Sequence, residues 1–272
     1  MEQIPARLHV LLAQKSPKAV VIRRGPSKRV AVIGWDRSDD SFETGQWLKG
    51  KIYPFRSDIS PDGSHWIYFA MGKTSQTWTA VAKTPYLKAL DFYTKGCAWN
   101  GGGLFSTGNA YWLNDGGATL HECERKNSGY AVVPLWGKEP QNWTGECPLI
   151  YFYRLERDGW KYESNVQNGK HSETTTFSKK AGKGWQLCKQ FHGGLVYPAG
   201  KAPYYESHIL RHVGGEEIHF NDMEWADIDG ERIVWAEKGK IMAGKISKSG
   251  LRQQTELFDT NPLVFEEKTA PY

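Results

Sequence analysis

The 272-residue chain holds only four methionines and no long stretches of Ala, Leu, Glu and Lys, a shortage that argues against a helical bundle. No apolar run approaches the roughly 18 residues that a membrane-spanning helix needs, the longest being Val10-Leu11-Leu12-Ala13, so a membrane is not an expected partner. Met1-Glu2-Gln3-Ile4-Pro5 lacks the basic segment and apolar run of a secretory leader. The four cysteines (Cys97, Cys123, Cys147 and Cys188) lie far apart with no Cys-x-x-Cys pair. Reduced thiols in a cytoplasmic protein are therefore the expectation. No charge of one sign dominates: 35 Lys and Arg stand against 30 Asp and Glu, a formal net charge of +5. The basic residues are scattered rather than gathered into a block, so nucleic acid is not an expected partner either. There is no Gly-x-Ser-x-Gly elbow, P-loop or dinucleotide fingerprint, and no cofactor is expected.

What the chain has in quantity is aromatic side chains: 12 Trp, 13 Tyr and 11 Phe. These favour strands, and each can bury roughly 150–250 Å². With 39% hydrophobic and 24% charged residues, a packed core is accessible and disorder is not indicated. The strongest pattern is repetition. One hairpin type turns at Asp-Gly into an aromatic strand: Ser60-Pro61-Asp62-Gly63 leads into Trp66-Ile67-Tyr68-Phe69, and Asp227-Ile228-Asp229-Gly230 leads into Ile233-Val234-Trp235. A looser copy runs from Leu104-Phe105 into Tyr111-Trp112-Leu113. A second type has a more polar connection, as at 30–47, 78–92, 149–163, 207–220 and 240–258. The two types alternate. Paired, they give five four-stranded units at approximately 7–48, 53–93, 97–164, 171–220 and 223–258. Four strands in a unit near 40–45 residues is the pattern of a β-propeller blade. The expected fold is all-β, a five-bladed propeller occupying residues 1–272 as a single domain; a two-sheet sandwich is the alternative.

The Ser60-Pro61-Asp62-Gly63 turn and the Trp66-Ile67-Tyr68-Phe69 strand after it resemble the blade repeat of TolB-like and WD40-like propellers over about 15 residues, and 224–236 resembles it in part. The likeness implies the fold and the position of that hairpin innermost in its blade. It implies no activity, because propellers host many functions. The chain as a whole also looks like a group of bacterial proteins, a likeness without implied chemistry.

Two connections are long, 114–148 and 192–203, and both join the second and third strands of a unit. In a propeller such loops share a face with the blade-entry segments, here carrying Arg56, Trp99-Asn100 and Asp222. Long loops in a compact domain are usually functional. Three tryptophans fall in loops, Trp99, Trp136 and Trp143, whereas strand tryptophans would pack between blades. The leading expectation is a binding or scaffold protein that engages a protein or a small-molecule ligand through Arg56, Trp99, Asn100, Trp136, Trp143 and Asp222. A hydrolase acting on a glycan is the second reading, with Asp58, Glu224 or Asp227 as acid and base, since five-bladed glycoside hydrolases place carboxylates near their inner strands. A structural subunit of an assembly is the third. His121, Cys123 and Cys147, with His192, offer metal-ligand types at poor spacing, and a half-buried His beside an inert Cys accounts for them better, so no metal is expected. Gly101-Gly102-Gly103 serves either the close approach of a ligand or a tight bend. Glu206, His208, His212 and His219 read as polar residues on strand faces.

Overall fold

Uninterrupted apolar runs such as Val20-Val21-Ile22 and Val30-Ala31-Val32-Ile33 are buried on both faces and form inner strands. Alternating runs such as 41–49 leave one face to solvent and form outer strands. The computed structural model of the protein describes residues 4–26, 28–106, 108–116, 120–135 and 146–272. Its first sheet runs in chain order, β1 (Arg7–Leu12), β2 (Lys18–Arg24), β3 (Arg29–Asp36) and β4 (Ser41–Lys49). The second holds β5 (Lys51–Ile52), β6 (Asp58–Ile59), β7 (His65–Met71), β8 (Thr77–Lys83) and β9 (Ala89–Lys95), with β5 and β6 both antiparallel to β7. The third is built on β10 (Gly103–Phe105) and β11 (Ala110–Leu113). Next come β12 (Glu122–Lys126), which adds to β9 as an outer strand, and β13 (Ala131–Val132), which pairs parallel to β11. A helix, α1 (Glu146–Arg157), precedes the fourth sheet: β14 (Lys161–Gly169), β15 (Ser172–Gly182), β16 (Trp185–Gly194), β17 (Tyr204–His212) and β18 (Glu217–Phe220). The fifth is β19 (Met223–Asp229), β20 (Arg232–Glu237), β21 (Lys240–Ser247) and β22 (Gly250–Asp259). The fold is all-β, with one helix among the described residues.

The chain divides into two compact units, with boundaries inside β1 and α1. The larger covers residues 9–154 and 263–272 and contains the first three sheets. Its second sheet is packed on both faces. Trp66, Tyr68 and Ala70 meet Leu11, Val20, Ile22 and Val32 of the first sheet. Ile67 and Val81 meet Phe105, Tyr111 and Leu113 of the third. Asp58 ties the second sheet to the third by accepting the Phe105 N–H at 2.7 Å. The last ten residues also lie in this unit. The Tyr272 hydroxyl donates to the Lys88 carbonyl, and Phe265 lies edge-on to Trp47. The smaller unit covers residues 4–8 and 155–262 and holds the fourth and fifth sheets, with β19 packed on β16 and β17. Trp35, Trp66, Trp185 and Trp235 are fully buried, whereas the strand residues Trp47, Trp78 and Trp112 are half-buried.

The third sheet differs from expectation. Residues 149–155, read as a strand from their aromatic and branched side chains, belong to α1. Cys147, Ile150, Tyr151, Arg154 and Leu155 are buried at a spacing of three and four, a helical period, with Pro148 and Phe152 buried beside them. The Asp158-Gly159 pair, read as a hairpin turn, is the end of the helix. Gly159 adopts φ 87°, its N–H donates to the Glu156 carbonyl, and the Trp160 N–H donates to the Leu155 carbonyl, which is a Schellman closure. The strand after it, β14, pairs with β15 and so extends the fourth sheet to five strands. The third sheet keeps three strands, the last of them parallel.

Candidate functional site

Arg56 sits on a short turn of 3-10 helix and is only 3% exposed. Its guanidinium donates to the Ala98 carbonyl at 2.7 Å, to the Asn100 carbonyl, and to Cys147 Sγ at 3.2 Å. It also lies over the rings of Tyr53 and Phe69. Arg154 of α1 donates to the Pro54 and Ser57 carbonyls, so both flanks of the turn are braced from the helix. Arg56 therefore anchors the segment that carries Trp99 rather than facing solvent. Trp99 is 61% exposed on that anchored segment. Asn100, Gly101 and Gly102 have positive φ (57°, 87° and 83°). A Cβ at Gly102 would fall on the Arg56 carbonyl, and one at Gly101 on the Phe69 ring. The glycines serve a tight bend whose space the protein's own chain fills.

The larger unit also holds a groove of about 820 Å³. Trp78 of β8 and Phe92 of β9 meet at 6.3 Å between ring centroids and line it half-buried. Leu48 of β4 and Leu87 contribute further apolar surface, and Leu120, Glu122 and Arg125 come from the long 114–148 connection. Several bonds fix the wall at 86–88. Gln46 accepts the Leu87 N–H at 2.7 Å, Trp66 Nε1 donates to the Tyr86 carbonyl, and the Tyr68 hydroxyl donates to the Leu87 carbonyl. Burial holds the Tyr68 hydroxyl neutral by pushing its pKa up. The groove is lined by apolar side chains together with Gln76, Thr77, Thr94 and the charged Lys95, Glu122 and Arg125.

No family model matches the chain, and no curated protein matches it either.

The carboxylates considered for catalysis all hold structural bonds. Asp58 is 0% exposed and bonded to Phe105 as described. Glu224 accepts the Leu8 N–H at 3.2 Å, and Asp227 accepts from Lys179 Nζ at 2.8 Å and from Trp160 Nε1 at 3.3 Å. Asp58 lies in the larger unit, and Glu224 and Asp227 in the smaller. Asp222 is on the surface, ion-paired to Lys238 at 2.8 Å, a bond that lowers its pKa. Trp136 and Trp143 lie outside the described residues.

His121 is tied at both ring nitrogens. Nδ1 is 3.1 Å from the Asp115 carboxylate and Nε2 is 3.0 Å from the Thr79 hydroxyl, which also accepts the Gly102 N–H at 2.8 Å. The carboxylate assigns the proton to Nδ1, so Nε2 accepts from Thr79. Burial lowers the His121 pKa, leaving the ring neutral. Cys123 is exposed, and Cys147 faces Arg56. Among the described residues, no group of three or more His, Cys, Asp or Glu is placed to hold a metal ion.

Two buried polar clusters had no clear sequence signal. In the smaller unit the Lys189 ammonium donates to Glu206 at 3.1 Å, to His208 Nε2 at 3.2 Å and to the Ala226 carbonyl at 3.1 Å. Lys189 on β16 and His208 on β17 are register partners, which puts them on one face, and Trp160 and Trp225 cover the ammonium. In the larger unit Asp91 accepts from Lys126 Nζ, the Tyr111 hydroxyl, the Ser128 hydroxyl and the N–H groups of Asn127 and Ser128. Burial works against its charge, but those donors outweigh it and lower the pKa. Tyr93, bonded to Tyr111, is pushed up to about 12 by burial.

Proposed function

We propose that the chain is a binding protein built on a five-bladed β-propeller, and that the Trp78–Phe92 groove is its ligand site. Five sheets that follow one another along the chain, apart from β12, support the propeller, as does a second sheet packed on one face by the first and on the other by the third. Burial also falls from inner to outer strands, as from β3 to β4 and from β20 to β22. The observation that carries the binding reading is the groove. Its 820 Å³ falls within the roughly 300–1,000 Å³ usual for small-molecule pockets, and its mostly apolar lining has a few polar groups at the rim. The ligand it fits has a flat or branched apolar body and a polar end directed toward Glu122 and Arg125. The hydrolase reading loses support, because Asp58, Glu224 and Asp227 are each engaged in bonds that hold the fold.

A thermal-shift screen of amphipathic aromatic compounds against the full chain tests this. Hits should quench tryptophan emission, and Trp78→Ala should weaken them about tenfold or more. Trp99→Ala should leave groove ligands unchanged. Hits that bind Trp78→Ala and Leu48→Arg as tightly as the parent would remove the groove as the site.

A further inference from the structure

The β16–β17 connection, residues 195–203, begins with consecutive exposed apolar side chains, with Leu195 at 76%, Val196 at 77% and Tyr197 at 43% exposure. Scattered exposed apolar residues are ordinary, but a contiguous set on a projecting turn calls for a partner. This turn is held in place. The Gly194 N–H donates to the Pro203 carbonyl, the Lys201 N–H to the Pro198 carbonyl, and the Leu195 N–H to the His171 carbonyl of the neighbouring β14–β15 turn. Just behind the tip stand two more tyrosines, with Tyr204 stacked on Phe191 and Tyr205 stacked on His192 at 4.5 Å. The Lys201 ammonium lies 5.7 Å from the Tyr205 ring. Lys170 and His171, on the adjacent turn, are exposed. Residues 194–203 contain no acid. Of the carboxylates around it, Glu206 is paired with Lys189 and Asp222 with Lys238, while Glu173 accepts from the Asn165 and Gln167 amides.

This end of the fourth sheet gathers exposed aliphatic side chains, tyrosines and cations. The interface of a bilayer takes the same three kinds of group: hydrocarbon, the headgroup level favoured by aromatic belts, and anionic phosphate. We propose that this end binds the surface of an anionic lipid bilayer, with Leu195 and Val196 inserted and Lys170 and Lys201 on the headgroups. The lack of a spanning segment does not bear on such binding, because the tip enters only roughly 5–10 Å. Two inserted aliphatic side chains bind weakly alone, so the lysines matter, each contributing about fivefold near an anionic surface. The inference is independent of the groove, which lies in the other unit.

Flotation of the full chain with vesicles of equal parts phosphatidylglycerol and phosphatidylcholine tests it, against vesicles of phosphatidylcholine alone. The parent should float with the anionic vesicles and be released by salt. Leu195→Ser with Val196→Ser should reduce the bound fraction about tenfold. Lys170→Glu with Lys201→Glu should do so by at least as much while leaving the tip intact, and circular dichroism should show both variants folded. No partition into anionic vesicles, equal partition into phosphatidylcholine alone, or a tip variant that floats like the parent would overturn the proposal. So would a protein partner captured through the tip by a chain that does not float.

Discussion

The buried His208 makes the stability of the smaller unit depend on pH in a direction the structure fixes. Its Nε2 accepts from the Lys189 ammonium and its Nδ1 donates to the Met223 carbonyl. Burial first, and Lys189 second, hold its pKa well below the ordinary 6.5. The folded ring stays neutral, whereas the unfolded ring takes up a proton as the pH falls through 6.5. Below that point the unfolded chain binds more protons, so stability is lost as the pH drops toward the folded value. One such group costs roughly 1.2 kcal/mol between about pH 7 and about pH 5.5. The assay is urea unfolding at a series of pH values, followed by tryptophan emission, to which Trp160 and Trp225 beside Lys189 contribute. His65, His121 and His192 are also lowered by burial and add to the slope, so the comparison is with His208→Gln, which keeps a donor and an acceptor. The parent should lose about 1 kcal/mol more than the variant over that interval. Parallel curves would refute a neutral, buried His208.

Two substitutions test the larger unit. Asp91→Asn removes the charge that Lys126 and four other donors surround, and should cost about 3 kcal/mol in urea unfolding; a loss under about 1 kcal/mol would mean the cluster is dispensable. Gly102→Ala places a side chain on the Arg56 carbonyl at φ 83°, and should cost about 2–4 kcal/mol, whereas Gly108→Ala, with nothing within 4 Å, should change the urea midpoint little.

Legibility in the sequence followed the strength of each local rule. Asp62 behaves as its Ser-Pro-Asp-Gly context requires, accepting from Ser60 and Ser64 within the turn. Buried strands such as β7 and β20 were visible because apolar runs between turn residues leave few alternatives. Residues 149–155 were not, because Tyr, Phe and Leu suit either element and Asp-Gly closes hairpins and helices alike. The strand β12, Glu-Cys-Glu-Arg-Lys, is exposed at every residue and has no apolar alternation to read. Arg56 and Asp58 drew attention as polar residues at the entry of a unit, yet their partners are the Ala98 carbonyl and the Phe105 N–H. Backbone groups of distant segments leave no mark in a sequence. Trp78 was hidden among tryptophans assigned to packing, and nothing local separates a fully buried strand tryptophan from a half-buried one.

The 114–148 connection contributes to the groove by a route that residue type alone did not indicate. Its tryptophans suggested contacts, but the described part works through β12. By pairing with β9, this strand extends the second sheet by one position, and the groove is lined by Leu120, Glu122 and Arg125 beside Phe92 and Trp78. The added edge carries Glu122, Glu124, Arg125 and Lys126, charges that discourage pairing with another chain. His121 fixes the start of that strand by bridging Asp115 to Thr79, and Lys126 fixes its end on Asp91. A strand pinned at both ends gives the groove a rigid wall, so a ligand would meet a preformed surface and lose less ordering entropy on binding. A long insertion whose strand is pinned at both ends can line a groove whatever residues it carries.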